Sequence, residues 1–323
     1  KGEKRDRALE LGGGVILDYC SFWQGTRSPE EERQFREGLN LINIPYGHQD
    51  VTALKLVSTP SDMKRQYDDR GWTHFESAVM DCKPPSTRHV LGKRNVLVCG
   101  ADFEPFGDTN SDELQSLSNF PRKPPLTPDR FREEMQARRE RVDAKSERLF
   151  ANHGDLAIVL ARYDANFAEI CCNTKLDYLN MGWGVAEARD LALALPCFGA
   201  LEELRLAENR FDGQAAVALA AALPRCFALR SLILFDNCLG EKVGDFAKLA
   251  AALAECAALE EVDLSYNDLG AKQSMALAEV VPRCPALRTL NLRRNTLCSN
   301  ADARTALRNA WRAAGKHEDG LIL

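Results

Sequence analysis

The segment LEELRLAEN at residues 201–209 decides the fold, because its pattern returns three times later in the chain. The later copies are LRSLILFDN at 229–237, LEEVDLSYN at 259–267 and LRTLNLRRN at 287–295. All four share the pattern LxxLxLxxN and begin 28, 30 and 28 residues apart. A fixed period of this length is typical of repeat proteins, in which each repeat packs on its neighbours. We therefore predict a stack of similar units in the last part of the chain.

Each copy begins like a strand and continues like a helix. Apolar residues alternate within LxxLxL, as in a short strand, and then change to the helical spacing of Phe246, Leu249 and Leu253. With these features, residues 173–323 resemble leucine-rich repeats of the ribonuclease-inhibitor type. The resemblance implies a solenoid of about five repeats.

A weaker copy precedes the four clear ones. We align LDYLNMGWG with the pattern from Leu176, 25 residues before Leu201, which places Gly184 where the other copies have asparagine. At the other end of the repeats, Trp311 lies on the last helical segment, and GLIL at 320–323 is predicted to be a final strand or cap. Such a cap is expected because the open end of a stack of repeats must be covered.

Asparagine closes each clear copy and is predicted to be structural rather than catalytic. Its amide can turn inward where the strand ends and satisfy backbone groups that the stacked turns leave unpaired; the four residues are Asn209, Asn237, Asn267 and Asn295. A cysteine lies three residues before the first leucine of three copies. We expect these small thiols to be buried rather than redox-active; they are Cys226, Cys256 and Cys284.

The outward residues of stacked strands form columns on the concave face, and here they mix apolar and charged types. The third column holds Ala207, Phe235, Ser265 and Arg293, and the fourth holds Glu208, Asp236, Tyr266 and Arg294. Exposed aromatic residues among charges are typical of protein-binding surfaces, although strand faces also vary without a function. The candidate partner-binding residues are Arg205, Ile233, Phe235, Asp263, Tyr266, Asn291 and Arg293.

A proline-rich segment, PRKPPLTP at 121–128, predicts a boundary before the repeats. Thr127 and Pro128 are suited to begin a helix, and the charged stretch after them carries a sparse apolar stripe. A second, more apolar helix is predicted at about 154–170. We therefore divide the chain into an α/β domain at 1–120, linker helices at 121–172 and the repeats at 173–323.

The first part of the chain alternates predicted strands and helices. GVILDYCSFWQ at 14–24 contains a buried strand, Val15 to Leu17, and a helix capped by Ser28 follows from about Pro29 to Ile42. VTALKLV at 51–57 and NVLVCG at 95–100 are further strands, with the helix GWTHFESAVMDC between them. Alternation of this kind predicts a parallel, flavodoxin-like sheet with helices on its faces.

Two motifs in this part carry a second resemblance. The first motif consists of Asp18, Tyr19 and Cys20 with Gln24, and the second is RGWTHFE at 70–76. Both are similar to motifs of heterokaryon-incompatibility and Toll/interleukin-receptor-like domains. In the members that cleave NAD, a glutamate four residues after the tryptophan is catalytic, and the resemblance places Glu76 in that role.

The resemblance makes Glu76 and Asp18 the candidate catalytic residues if the protein is an enzyme, because a carboxylate stabilises the positive charge that develops on the ribose. A structural interpretation competes with it, since Trp72 and Glu76 are one helical turn apart and share a helix face. Only the short segment KGEKRDRALELGGG precedes the first predicted strand, so we expect the domain to be incomplete.

Composition limits the classes of partner. A net charge of −5 gives no electrostatic reason to expect nucleic acid, and no apolar run approaches the length that inserts into a membrane. The eleven cysteines are odd in number and lack metal-ligand spacing, so we expect reduced thiols. Reduced thiols favour a reducing compartment, either the cytoplasm or the interior of an organelle. Because the sequence begins at Lys1, we also expect that a leader has been removed or that an upstream segment is omitted. No metal and no cofactor is expected.

We conclude from the sequence that the protein is a non-enzymatic adaptor or a structural subunit of a larger assembly, and that the repeats bind a protein partner. Two alternatives remain. One is a Toll/interleukin-receptor-like enzyme that cleaves NAD with Glu76, and the other is an inhibitor of the ribonuclease-inhibitor kind.

Overall fold

The computed structural model describes residues 26–41, 43–48, 51, 53–56, 67–83, 96–99, 122–150, 152 and 154–323. The chain forms two compact units, residues 1–45 and 46–323. The domain limits predicted at 120 and 172 fall within the second unit and stay a prediction.

Helix α1 (Pro29–Leu41) of the first unit begins at the predicted cap. The Ser28 hydroxyl accepts a hydrogen bond from the Glu31 amide (3.3 Å), and the Glu31 carboxylate accepts one from the Ser28 amide (2.8 Å). This reciprocal arrangement is a capping box, which satisfies two amide donors at the start of a helix. The predicted strand Val15 to Leu17, and with it Asp18, lies outside the described residues.

The second unit confirms the predicted alternation of strands and helices. After the short helix α2 (Asn43–Gly47), within which the limit between the units falls, the chain forms strand β1 (Ala53–Leu56), helix α3 (Gly71–Asp81) and strand β2 (Val96–Cys99). Strands β1 and β2 pair in parallel, with Ala53 opposite Val96. Two strands do not test the resemblance to Toll/interleukin-receptor-like domains, which stays a prediction.

Two linker helices, α4 (Pro128–Asp143) and α5 (Asp155–Ile170), lead to the repeats. The Thr127 hydroxyl caps α4, as predicted, by accepting a hydrogen bond from the Arg130 amide (3.3 Å). The sparse apolar stripe of α4 is buried: Phe131 stacks on Tyr163 of α5 with ring centroids 3.7 Å apart. The two helices are therefore part of the core of this unit.

The repeats form a six-stranded sheet in which every strand is parallel to the next and the spatial order is the chain order. Helices alternate with the strands, and in the first five strands of this sheet the central residue, at the second leucine position of the pattern, is buried. The elements are β3 (Lys175–Asp177), α6 (Val185–Ala194), β4 (Glu203–Arg205), α7 (Gly213–Ala222), β5 (Ser231–Ile233), α8 (Val243–Glu255), β6 (Glu261–Asp263), α9 (Ala271–Val280), β7 (Thr289–Asn291), α10 (Ala301–Ala313) and β8 (Leu321–Ile322).

The alignment of the first, weak copy was wrong by three residues. Leu176 pairs with Leu204 rather than with Leu201, so the copy has the same 28-residue spacing as the next one. Met181 therefore occupies the asparagine position, and Gly184 is the residue that caps α6, where its amide donates to the Glu187 carboxylate (2.9 Å). The error arose because this copy keeps only one of the pattern's leucines in register.

One hydrophobic core runs from helix α3 to helix α10, with Phe75 near one end and Trp311 near the other. The predicted final strand is confirmed, because Leu321 pairs with Leu290 and extends the sheet. The Trp311 indole is buried below this cap and donates to the His317 carbonyl (2.7 Å).

Within the described part of the chain, no helix is long and apolar enough to span a membrane. The same residues hold no group of three or more acidic, histidine or cysteine side chains that could bind a metal. The nine cysteines whose side chains are described are free thiols. Burial raises the pKa of Cys226 to about 11 and that of Cys256 to about 12, as expected for thiols packed between repeats.

Candidate protein-binding surface

The asparagines that close the repeats hold the strand ends in place. Asn267, which is 0% exposed, donates to the carbonyls of Leu264 and Ser265 in its own repeat and of Leu234 in the preceding one (2.8–3.2 Å). Its side-chain oxygen accepts from the Leu239 amide of that preceding repeat (3.3 Å). The other three make the same kind of bridge between neighbouring repeats.

The residue before each asparagine position has a left-handed backbone. The φ angles lie between +53° and +59°, and the residues are Asn180, Glu208, Asp236, Tyr266 and Arg294. Asn and Asp tolerate this conformation, whereas a bulky residue pays about 1 kcal/mol or more. Tyr266 is held there with 52% of its surface exposed. Because all five repeats share this backbone, the fold imposes it, and Tyr266 occupies a position that Asn or Asp would occupy at a lower cost.

The first two columns of the strand face make contacts within the protein; they hold Glu203, Ser231, Glu261 and Thr289, and Arg205, Ile233, Asp263 and Asn291. Lys175 contacts Glu203 (2.6 Å) and Arg205 contacts Asp177 (3.6 Å) across strands β3 and β4. Two more cross-strand hydrogen bonds join Ser231 to Glu261 (3.1 Å) and Asn291 to Asp263 (2.9 Å). Three predicted partner-binding residues, Arg205, Asp263 and Asn291, thus already have partners in the chain.

The third and fourth columns are different. Six of their residues are charged or aromatic, and the side chains of these six make no hydrogen bond or ion pair with any described residue. We call these six residues the strand-end surface: Glu208, Phe235, Asp236, Tyr266, Arg293 and Arg294. Tyr266, Asp236 and both arginines are exposed, whereas Phe235 is partly buried, like Ile233 beside it. Ala207 and Ser265, predicted to face outward, are buried, so small residues flank Phe235 on both sides.

The segment RGWTHFE packs on the connection between the two linker helices, α4 and α5. The Gly71 amide donates to the Leu149 carbonyl (3.0 Å), and the Trp72 indole donates to the Asp155 carboxylate (3.1 Å). The Trp72 ring meets Phe150 edge-on, with centroids 6.5 Å apart. Glu76 lies one turn further along α3 and is 8% exposed. Two open depressions are lined by described residues, and Glu76 lines neither.

We predict that Gly71→Ala destabilises the protein by about 2 kcal/mol, because overpacking a tight core site has that order of cost. A methyl group at this position would lie 2.2 Å from the Phe150 ring, so the ring or α3 must move. Urea unfolding measures the change. Gly154→Ala is the matched control, because a methyl group there meets no atom within 4 Å; an equal loss in both variants contradicts the packing argument.

His74, on the same helix, is buried and neutral. Burial, with the nearby Arg138, Lys123 and Lys55 cations, lowers its pKa to about 3, although the Glu134 carboxylate lies 3.4 Å from its Nε2 atom. The ring stacks on Phe131 with centroids 5.7 Å apart. Nothing in the described structure hydrogen bonds to the Nε2 atom.

A pH dependence of stability follows. Below its ordinary pKa of 6.5 the unfolded chain binds a proton at His74 that the folded chain does not. Stability at this site is therefore lost as pH falls from 6.5 toward 3, by about 1.4 kcal/mol per pH unit. We expect His74→Leu to flatten the urea stability profile between pH 6.5 and 5, while the exposed His317→Leu leaves it unchanged. Parallel profiles for wild type and His74→Leu contradict this account.

Arg122 is a structural residue that the sequence did not predict. Its guanidinium donates to the carbonyls of Lys83 (3.1 Å) after α3 and of Asp177 in β3, and it lies over the Tyr178 ring (5.0 Å). Next to it, the buried Lys55 and Asp81 side chains form an ion pair. Arg122 thus fastens the end of α3 to the first strand of the repeats.

No protein-family model matches the sequence, and no curated protein matches it. Among solved structures, the actin-binding site 2 of leiomodin-1 is 20% identical, covers 47% of this chain and 89% of its own, and has a TM-score of 0.40. The C-terminal domain of tropomodulin from Caenorhabditis elegans is 17% identical, covers 46% of this chain and 93% of its own, and has a TM-score of 0.38.

Proposed function

We propose that this protein is a non-enzymatic adaptor, or a structural subunit of a larger assembly, whose leucine-rich-repeat solenoid binds a partner protein through the strand-end surface. Tyr266 is the observation that supports this most strongly. The repeats impose a left-handed backbone at this position, where Asn or Asp would cost less than Tyr, yet this repeat has Tyr266 with an exposed ring. A binding role would explain a bulky, exposed residue at such a position.

The neighbours of Tyr266 suit a binding site. Phe235 adds a second aromatic ring between small residues, and aromatic anchors supply much of the affinity at protein interfaces. The asparagine bridges fix the backbone on which both rings stand. A rigid surface loses little conformational entropy when it binds, which favours affinity.

The packing of α3 favours this proposal over NAD cleavage. Gly71 and Trp72, two of the residues that carry the resemblance to NAD-cleaving domains, have structural partners in Leu149 and Asp155. Glu76 is largely buried on the same helix. We therefore propose that this helix stabilises the molecule and that the protein has no enzymatic activity.

Partner capture from a native extract, with quantitative mass spectrometry, tests the proposal. Wild-type protein should recover a partner that Tyr266→Asn loses. Asp268→Asn is the matched control, because Asp268 is exposed and has the same left-handed backbone outside the strand-end surface. Equal recovery by all three proteins would refute the proposal.

A further inference from the structure

The unpaired charges of the strand-end surface are sorted by sign along the stack. Glu208 and Asp236 follow strands β4 and β5, whereas Arg293 and Arg294 follow β7. The two aromatic rings, Phe235 and Tyr266, lie between the two charged ends, after β5 and β6. The order along the stack is therefore acidic, aromatic and basic.

The charges in the two columns beside it are partly paired within the protein. Lys175 pairs with Glu203 and Arg205 with Asp177, whereas the Glu261 and Asp263 carboxylates on β6 hydrogen bond to neutral groups such as the Ser231 hydroxyl and the Asn291 amide. These two carboxylates lie in the middle of the stack, so they leave the acidic end at β4 and β5 and the basic end at β7 in place. The next residues outward, Arg210 and Asp268, have the reverse order of sign, but they lie beyond the buried asparagines, where the loops to the helices begin. A partner on the strand-end surface therefore meets an acidic end and a basic end.

The spacing fits an extended peptide. Parallel strands lie about 4.8 Å apart, so three strand steps separate Glu208 from Arg294 by roughly 14 Å. An extended chain advances about 3.3 Å per residue, so residues i and i+4 lie about 13 Å apart and project to the same side. The central residue of such a segment comes opposite Phe235 and Tyr266.

We infer that the partner presents an extended segment with a basic residue, an apolar residue two positions away and an acidic residue two positions further. This rests on the proposed function and specifies the partner's chemistry. The basic residue meets Glu208 and Asp236, the apolar residue packs on the aromatic rings, and the acidic residue meets Arg293 and Arg294. The segment crosses the strands in either chain direction.

Three labelled peptides test the inference by fluorescence anisotropy. Their central sequences are Lys-Ser-Phe-Ser-Glu, Lys-Ser-Phe-Ser-Lys and Glu-Ser-Phe-Ser-Glu. The wild-type protein should bind the first about fivefold to tenfold more tightly than either of the others, because one attraction becomes a repulsion in each of them. The preference should shrink in high salt, since these charges are exposed.

The second part of the experiment reverses the charge of the basic end of the strand-end surface. In the double variant Arg293→Glu and Arg294→Glu both ends of the surface are acidic, so the peptide with two lysines should become the tightest ligand. Arg210→Glu, outside the surface, should leave the wild-type ranking unchanged.

Failure of this inference can be distinguished from failure of the proposed function. If the wild-type protein binds the three peptides equally, or binds none of them, the charge order is overturned, while loss of the native partner by Tyr266→Asn still supports the proposed function. If Tyr266→Asn keeps the native partner, the proposed function and this inference fail together.

Discussion

The double variant Phe235→Ala and Tyr266→Asn is expected to bind the captured partner at least about 100-fold more weakly than wild type. Each aromatic anchor at the centre of an interface contributes about 2 kcal/mol or more, and 1.4 kcal/mol corresponds to a factor of ten. Both replacements copy residues that other repeats already carry at the same positions: Ala207 in the third column and Asn180 in the fourth. Surface plasmon resonance with the purified partner gives the ratio.

Stability separates loss of binding from loss of folding. Asn tolerates the left-handed backbone better than Tyr, so the single variant Tyr266→Asn should be as stable as wild type or more stable by up to about 1 kcal/mol. Phe235→Ala also removes a partly buried ring and is expected to lower stability, so Tyr266→Asn is the variant that separates binding from folding. We expect Tyr266→Asn to combine an unchanged or higher melting temperature with weakened binding. Weakened binding by Tyr266→Asn together with a lower melting temperature would contradict a direct role of this ring.

Asn267→Ala is expected to destabilise the protein by about 4 kcal/mol. The substitution removes four side-chain hydrogen bonds. The Leu239 amide loses its acceptor, whereas the carbonyls of Leu234, Leu264 and Ser265 each keep a second donor. An unpaired buried amide costs about 1–3 kcal/mol and each further hydrogen bond contributes about 1 kcal/mol, which gives a sum of about 4 kcal/mol. The loss of stability should be larger than that of Gly71→Ala. In Gly71→Ala a movement of the Phe150 ring can relieve the clash, whereas no movement of a single side chain can replace the four hydrogen bonds of Asn267.

Urea unfolding and hydrogen exchange measure this loss. Exchange should accelerate most around β5 and β6, which the Asn267 side chain bridges. Asn309→Ala is the control, because Asn309 lies exposed on α10 and should change stability by less than about 0.5 kcal/mol. A loss below about 1 kcal/mol for Asn267→Ala would show that the asparagines do not hold the strand ends.

The repeats could be predicted because their pattern recurs several times in the sequence. Four copies of LxxLxLxxN predicted the strands, the inward asparagines and the buried thiols. The first copy was misaligned because Tyr178 and Met181 replace the third leucine and the asparagine, and a chance match three residues later was better. The 28-residue spacing to Leu204 was the signal that could have placed it.

The binding surface could be predicted only in part. The columns were visible in the sequence, but the cross-strand contacts of Arg205 with Asp177 and of Asp263 with Asn291 depend on side-chain geometry. The left-handed backbone of Tyr266 had a signal, since Asn180 and Asp236 at the same position are residues that tolerate it. The role of Arg122 had no signal in the sequence, because a single arginine among prolines does not reveal which carbonyls it contacts.

Photo-crosslinking tests the central claim most directly. A benzophenone amino acid replaces Tyr266 in one protein and Phe227 in another, since Phe227 is 80% exposed but lies before β5, outside the strand-end surface. We predict a covalent adduct with the partner from position 266 and none from position 227. An adduct from position 227 alone would contradict the claim that the strand-end surface binds the partner.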